Sequence, residues 1–255
     1  MATRTRRTQR RTEALTRERI VEAAVDLLDA AGEDGLTFRV LTERLATGPG
    51  AIYWHVANKG ELLAAATDGV VAAALAIEPA AAAEPAAAAE AAESGGPADS
   101  PQDEIRAVAL GLFNAIAAHP WLGTQLATQF SRSPWGSVTP RIFESIGRRV
   151  RALGVPEDSW FTATSALVHY ILGAAGQNAA NTASVRTLGS ETDRAEFLAT
   201  VSKAWEALDP DDYPFIRAVA AQMREHDDRE QFLAGIDLVL TGIAALHPPP
   251  TPPGR

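Results

Sequence analysis

Apolar side chains recur along this chain every three or four positions, the period of a helix with one buried face. Ile20, Ala23, Ala24, Leu27, Leu28 and Ala31 share such a face in a segment that opens after Thr16 and closes at Gly32 and Gly35. Thr is suited to capping a helix N-terminus and Gly to ending one. Thr37 opens a second, shorter helix that buries Val40, Leu41 and Leu45. After a break at Ala46, Thr47 and Gly48, a third helix begins at Pro49, a first-turn position where the missing N–H is tolerated. Ile52 and Val56 form its inward side, which leaves Ala51, Tyr53, Trp54 and His55 facing outward. A fourth segment runs from Lys59 or Gly60 through Leu62, Leu63, Ala66, Val70 and Val71 to about Ile77.

The pattern breaks at residues 78–101, where Ala and Glu are interrupted by Pro79, Pro85 and Gly95-Gly96-Pro97. Little apolar bulk is available there, and the stretch is expected to be a flexible linker or insertion. The helical period returns at Pro101 with Ile105, Val108, Ala109, Leu112, Phe113 and Ile116. Further helices are expected at Trp121–Phe130, Pro140–Leu153, Pro156–Asn181, Thr192–Leu208, Tyr213–Glu225 and Asp228–Leu246. Residues 248–255 form a Pro-rich tail that cannot continue the last of them. No segment alternates as a strand does, so the expected fold class is all-α.

Charge sharpens this division. Residues 1–63 carry ten Arg or Lys against nine Asp or Glu, while residues 64–255 carry thirteen against twenty-three. The overall formal charge of −9 therefore belongs to the second region. Seven Arg and two Glu fall within residues 1–19, a basic arm able to follow a phosphate backbone. The chain has no Cys, which excludes disulfides and thiolate metal sites. It has no apolar run of membrane-spanning length and no secretory leader pattern at its start, so a cytoplasmic protein without a membrane partner is expected. No nucleophile triad, phosphate loop, metal-spaced His pair or paired-carboxylate motif stands out, and no enzymatic function is expected.

Two short helices joined by a tight, Gly-containing turn read as a helix-turn-helix, whose second helix enters the DNA major groove. Here the second helix carries Tyr53, Trp54 and His55, with Lys59 four residues beyond His55 and Glu61-Leu62-Leu63 after it. Together with Ile20, Ala23, Ala24, Gly32, Leu36, Thr37, Arg39 and Leu45, this block resembles the TetR family of one-component transcriptional repressors. Weaker likeness continues through residues 119–124, 167–173 and 228–240, closest to the tetracycline-repressor branch.

The resemblance implies a three-helix helix-turn-helix DNA-binding domain over residues 16–63. It implies a helical ligand-binding and dimerisation domain over 64–247, whose two late apolar helices, 156–181 and 228–246, pair with those of a second copy. The implied partners are a near-palindromic double-stranded operator, a second copy in a homodimer, and a small effector that releases the DNA. An activator, or a ligand-independent DNA binder of the same fold, is the alternative.

The family's DNA-contact positions fall on Arg39, Pro49, Gly50, Ala51, Tyr53, Trp54, His55 and Lys59. Tyr53, His55 and Lys59 are the phosphate candidates, and Arg39 is the best base reader because a guanidinium can grip guanine O6 and N7 together. Alignment with the tetracycline-repressor branch places Trp121, Thr124, Gln125, Phe143, Ile146, Phe161, Thr164, Val168 and Gln177 around an effector. Trp121 stands where that branch has a magnesium-binding His, and Gln177 where it has a Glu. Neither is a good magnesium ligand, so no metal or cofactor is expected. The remaining lining suits a hydrophobic or aromatic molecule.

Overall fold

The computed structural model describes residues 15–76, 100–187 and 194–248, apart from the side chains of residues 183–187. Most of the basic arm and nearly all of the linker and the Pro-rich tail lie outside these residues. The described residues are helical with no strand, as the apolar period requires. They divide into two compact units, residues 1–66 and 67–255.

In the first unit α1 spans Arg17–Gly35, α2 Phe38–Leu45, α3 Pro49–Tyr53, and α4 Lys59–Leu75, the last running on into the second unit. The Thr16 hydroxyl accepts from Arg19 N at 3.3 Å and starts α1. Gly32 interrupts α1 with φ 66° and ψ −169°, a backbone region almost reserved for glycine. The helical run then resumes for a turn to Gly35, so Gly32 kinks the helix rather than ending it. Ile20, Ala24, Leu28, Leu36, Leu41, Ile52, Val56 and Leu62 make the core of this unit, each no more than 2% exposed.

In the second unit α5 spans Pro101–Ala118, α6 Trp121–Arg132, α7 Val138–Ala152 and α8 Trp160–Thr187, the last preceded by a 3-10 turn at Glu157–Ser159. Then come α9 Arg194–Glu206, α10 Pro214–Val219, a 3-10 turn at Gln222–Glu225, and α11 Asp228–Leu246. The long α8 is the centre, packed against α5, α6, α7 and α11. Ser100 caps α5, its hydroxyl accepting from Asp103 N at 3.2 Å. Asp227 caps α11, its carboxylate accepting from Glu230 N at 2.7 Å.

The single helix expected over Tyr213–Glu225 is instead α10 followed by a separate 3-10 turn. The Ser202 hydroxyl donates to Ala220 O at 2.7 Å in a buried setting, and this tie between α9 and the break accounts for the interruption. Boundaries elsewhere move by a few residues: α6 extends to Arg132, α7 starts at Val138, and α8 starts at Trp160 and runs on to Thr187. No single helix among the described residues is long and apolar enough to cross a membrane.

Candidate nucleic-acid interface and effector pocket

Local chemistry fixes the turn between α2 and α3. The Thr37 hydroxyl accepts from Val40 N at 3.2 Å and starts α2. Ala46 ends it in the left-handed region with φ 49°, and Thr47 N donates to Thr42 O at 3.1 Å. Gly48 and Pro49 then open α3. The short α3 is anchored through Ile52 and, just beyond it, Val56, which are 0% and 1% exposed.

That anchoring turns the signature aromatics outward. Trp54 is 90% exposed and Tyr53 54%. The Tyr53 ring is not loose, since it stacks on Phe38 of α2 at 4.8 Å between centroids and 10° between planes. His55 is half-buried, Pro49 and Gly50 are exposed, and Ala51 is half-buried. Pro49, Gly50 and Ala51 offer only small apolar surface to a groove.

Two of the candidate cations make contacts within the fold. Lys59 Nζ donates to Glu33 O at 2.6 Å, joining the start of α4 to the end of α1. An ammonium has three N–H donors, so two remain for a phosphate. Arg39 is largely exposed and pairs with Glu43 one turn away at 3.0 Å. Exposed pairs of this kind are worth well under about 1 kcal/mol, so a base edge can compete for the guanidinium.

Sequence reasoning missed three supports. Phe38 is the platform for Tyr53. Asn58 caps α4, its Oδ1 accepting from Glu61 N at 2.9 Å, while Glu61 Oε2 accepts from Ala57 N at 2.8 Å. The Asn-x-x-Glu spacing of a capping box was available as a signal. Arg44 pairs with Asp26 at 2.5 Å and ties α2 to α1.

The residues expected around an effector scatter in the second unit. Ile146 and Val168 are fully buried, Thr164 is 3% exposed, and Trp121 and Gln125 are each 8% exposed. Thr124 faces out, Phe143 is half-buried, and Gln177 is exposed with its amide donating to Asn181 Oδ1 at 2.9 Å. Phe161 departs most from expectation, at 75% exposed. It extends the buried α8 stripe of Thr164, Val168 and Ile171 by one turn, beyond the reach of most neighbours. Phe143 stacks on it at 6.0 Å and lies 6.1 Å from Phe130, so the three rings form a ladder from α6 across α7 to α8.

An open cleft of about 470 Å³ lies elsewhere, between α8 and α11. Of the nine expected residues, Gln177 lines it. Its floor is a stack of Phe113, Phe232 and Tyr170, with centroid separations of 4.5 Å and 5.8 Å. The Tyr170 hydroxyl donates to Phe232 O at 3.1 Å, and partial burial raises its pKa. A Cβ at Gly235 would collide with that hydroxyl, so glycine there lets α8 and α11 approach. His226 and Arg194 both pair with Asp228 at the start of α11, at 2.9 Å and 2.6 Å.

A helix-turn-helix with exposed aromatics and cations, followed by a separate all-helical unit, defines a DNA-binding transcriptional regulator. Residues 20–66 match the family model for bacterial regulatory proteins of the tetR family, and residues 96–247 match that for the tetracyclin repressor-like C-terminal domain. The chain belongs to the TetR family of bacterial regulatory proteins. It is 67% identical to a solved transcriptional regulator from Streptomyces coelicolor, described as a TetR, with a TM-score of 0.77 over 92% of this chain and 100% of that one. It is 28% identical over 236 residues to the HTH-type transcriptional repressor DrrR1 of Streptomyces coeruleorubidus, covering 91% of this chain and 78% of that protein. The fold is also that of the S. coelicolor TetR family protein ActR, solved in complex with actinorhodin. That likeness has a TM-score of 0.67 and 23% identity, over 92% of this chain and all of the other.

Proposed function

We propose that the protein binds a near-palindromic operator as a homodimer in the cytoplasm and leaves it when a small hydrophobic or aromatic molecule binds the second unit without a metal. The observation that carries this reading is the division of labour on α3 and the turn after it. Ile52 and Val56 are buried while Tyr53 and Trp54 are presented to solvent.

Arg39 reads a base, and Tyr53, His55 and Lys59 hold phosphates. Trp54, Pro49, Gly50 and Ala51 complete the contact through close approach and thymine-methyl packing. Two such helices are needed for specificity, which a two-fold dimer supplies. The cleft between α8 and α11, with Leu238 on its wall at 76% exposed and the small Ala234 and Gly235 beside it, suits a second copy.

The Phe130–Phe143–Phe161 ladder supports an aromatic effector near α7 and α8, with Trp121, Thr124, Gln125, Ile146, Thr164 and Val168 as further candidates, whereas Gln177 faces the separate cleft between α8 and α11. Among the described residues no group of three or more His, Asp or Glu side chains is placed to hold a metal ion.

The test begins with a duplex selected by the chain from a random pool. Two chains should bind each duplex, and a library of hydrophobic aromatics should contain compounds that release it equally well with and without a strong chelator. Binding of a single chain would overturn the dimer reading. Release that demands magnesium would overturn the metal-free pocket.

A further inference from the structure

The boundary between the two compact units falls inside α4, between Ala66 and Thr67, rather than in a loop. Whatever fixes the outgoing part of this helix therefore bears on both units through an unbroken backbone. Thr67 and Val71 there are fully buried and Ala74 is 4% exposed. One charged contact stands beside this apolar seat. Asp68 Oδ1 lies 3.2 Å from Arg141 Nη2, and that same nitrogen donates to Asp68 Oδ2 at 3.4 Å. Asp68 lies in the first turn past the boundary, and Arg141 in the first turn of α7.

This pair is loosely formed. The Asp68 side chain is 31% exposed, yet its Oδ1 is out of solvent and has no well-aligned donor. The Arg141 charge compensates that oxygen through proximity alone. The Thr139 hydroxyl, two residues before Arg141 on the same turn of α7, is likewise buried without a partner. A buried polar atom that lacks its hydrogen bond is costly, so a rearrangement of the α7 start that supplies one is favoured here.

We propose that Asp68 and Arg141 are a positioning pair that holds α4 in the conformation competent for operator binding, and that α7 controls repression by making or breaking it. This rests on the functional reading above. It adds the residues through which the second unit acts on the first. A two-state element biased by both sites is what such coupling requires.

The experiment uses the full chain and the duplex that the wild-type protein selects from a random pool. Asp68→Asn and Arg141→Gln should each weaken effector-free operator binding about fivefold or more, the lower end of typical coupling. The double variant should be no worse than either alone, and the swapped pair, Asp68→Arg with Arg141→Asp, should recover most of the affinity. Non-specific duplex binding should stay near wild type, which loss of the folded DNA-binding unit would not allow.

Additive losses, or no loss, would overturn the pairing. If the single variants unfold, the swapped protein decides the matter, because full folding without operator affinity also overturns it. Failure of the wild-type chain to select any duplex would sink the functional reading instead.

Discussion

The two units hold their candidate residues in opposite ways. In the first, several candidate contact residues either meet a neighbouring group or stand outward in solvent. Tyr53 rests on Phe38, Lys59 on the Glu33 carbonyl and Arg39 on Glu43, while Trp54 stands free in solvent. In the second, Ile146, Val168 and Thr164 are embedded in the packing that makes the helix bundle, and Phe161 emerges from its end. A DNA surface has to be presented before its partner arrives, so its chemistry is held ready. An effector site in a helical bundle shares its residues with the core, and the same side chain serves packing and recognition together.

The comparison is broken most severely through the core of α3. Ile52→Ala removes a fully buried anchor and should cost about 2–5 kcal/mol. Operator binding should vanish while most of the helical circular dichroism, which comes from the second unit, survives. Collapse of the whole signal at one lower temperature would show that the two units do not fold separately.

A smaller effect is expected at Arg39. Arg39→Ala should lose discrimination at one base-pair position by about 1–3 kcal/mol, measured against singly substituted duplexes. Equal losses on selected and random DNA would remove it from base reading.

Tyr53→Ala and Lys59→Gln should instead weaken binding to every sequence. Lys59→Gln should also reduce the slope of log affinity against log salt by about 1. Because Lys59 also holds the Glu33 carbonyl, its replacement should lower the melting temperature as well, which Trp54→Ala should not do.

The mildest test lies in the second unit. Ser100→Ala should cost about 1 kcal/mol of stability through the lost cap of α5. The Ser100 hydroxyl, aided by Arg106, holds the Asp103 carboxyl below the ordinary Asp range, although burial opposes this. A carboxyl lowered on folding stabilises the native state at pH values above its unfolded pKa. That contribution is lost as pH falls through the folded value. The difference between wild type and Ser100→Ala should therefore shrink in acid, as followed by thermal melts across pH.

Legibility in the sequence divides along the same line. The helices of the first unit follow from Thr16, Thr37, Gly48 and Pro49, local signals that act within a few residues. Its outward aromatics follow from the burial of Ile52 and Val56. The burial of Trp121 and Thr164 and the exposure of Phe161 depend on which helix covers which, and no local pattern carries that. The split of residues 213–225 depends on Ser202 reaching Ala220, a contact across 18 positions. The Asp68–Arg141 pair spans 73 positions, and nothing in either neighbourhood announces it.

Gly32 bears on how genetic screens of this regulator should be interpreted. Its backbone lies where side-chain-bearing residues are strained by about 1–3 kcal/mol, although a Cβ there would meet no atom within 4 Å. Substituted chains would fold and accumulate, with α1 relaxing towards an unbroken helix and the neighbouring Glu33 carbonyl drawn away from Lys59. In a search for derepressed colonies, Gly32 alleles would therefore be recovered alongside true operator-contact alleles. Suppressors would be expected at neighbouring positions of α1 and α4 rather than in the operator.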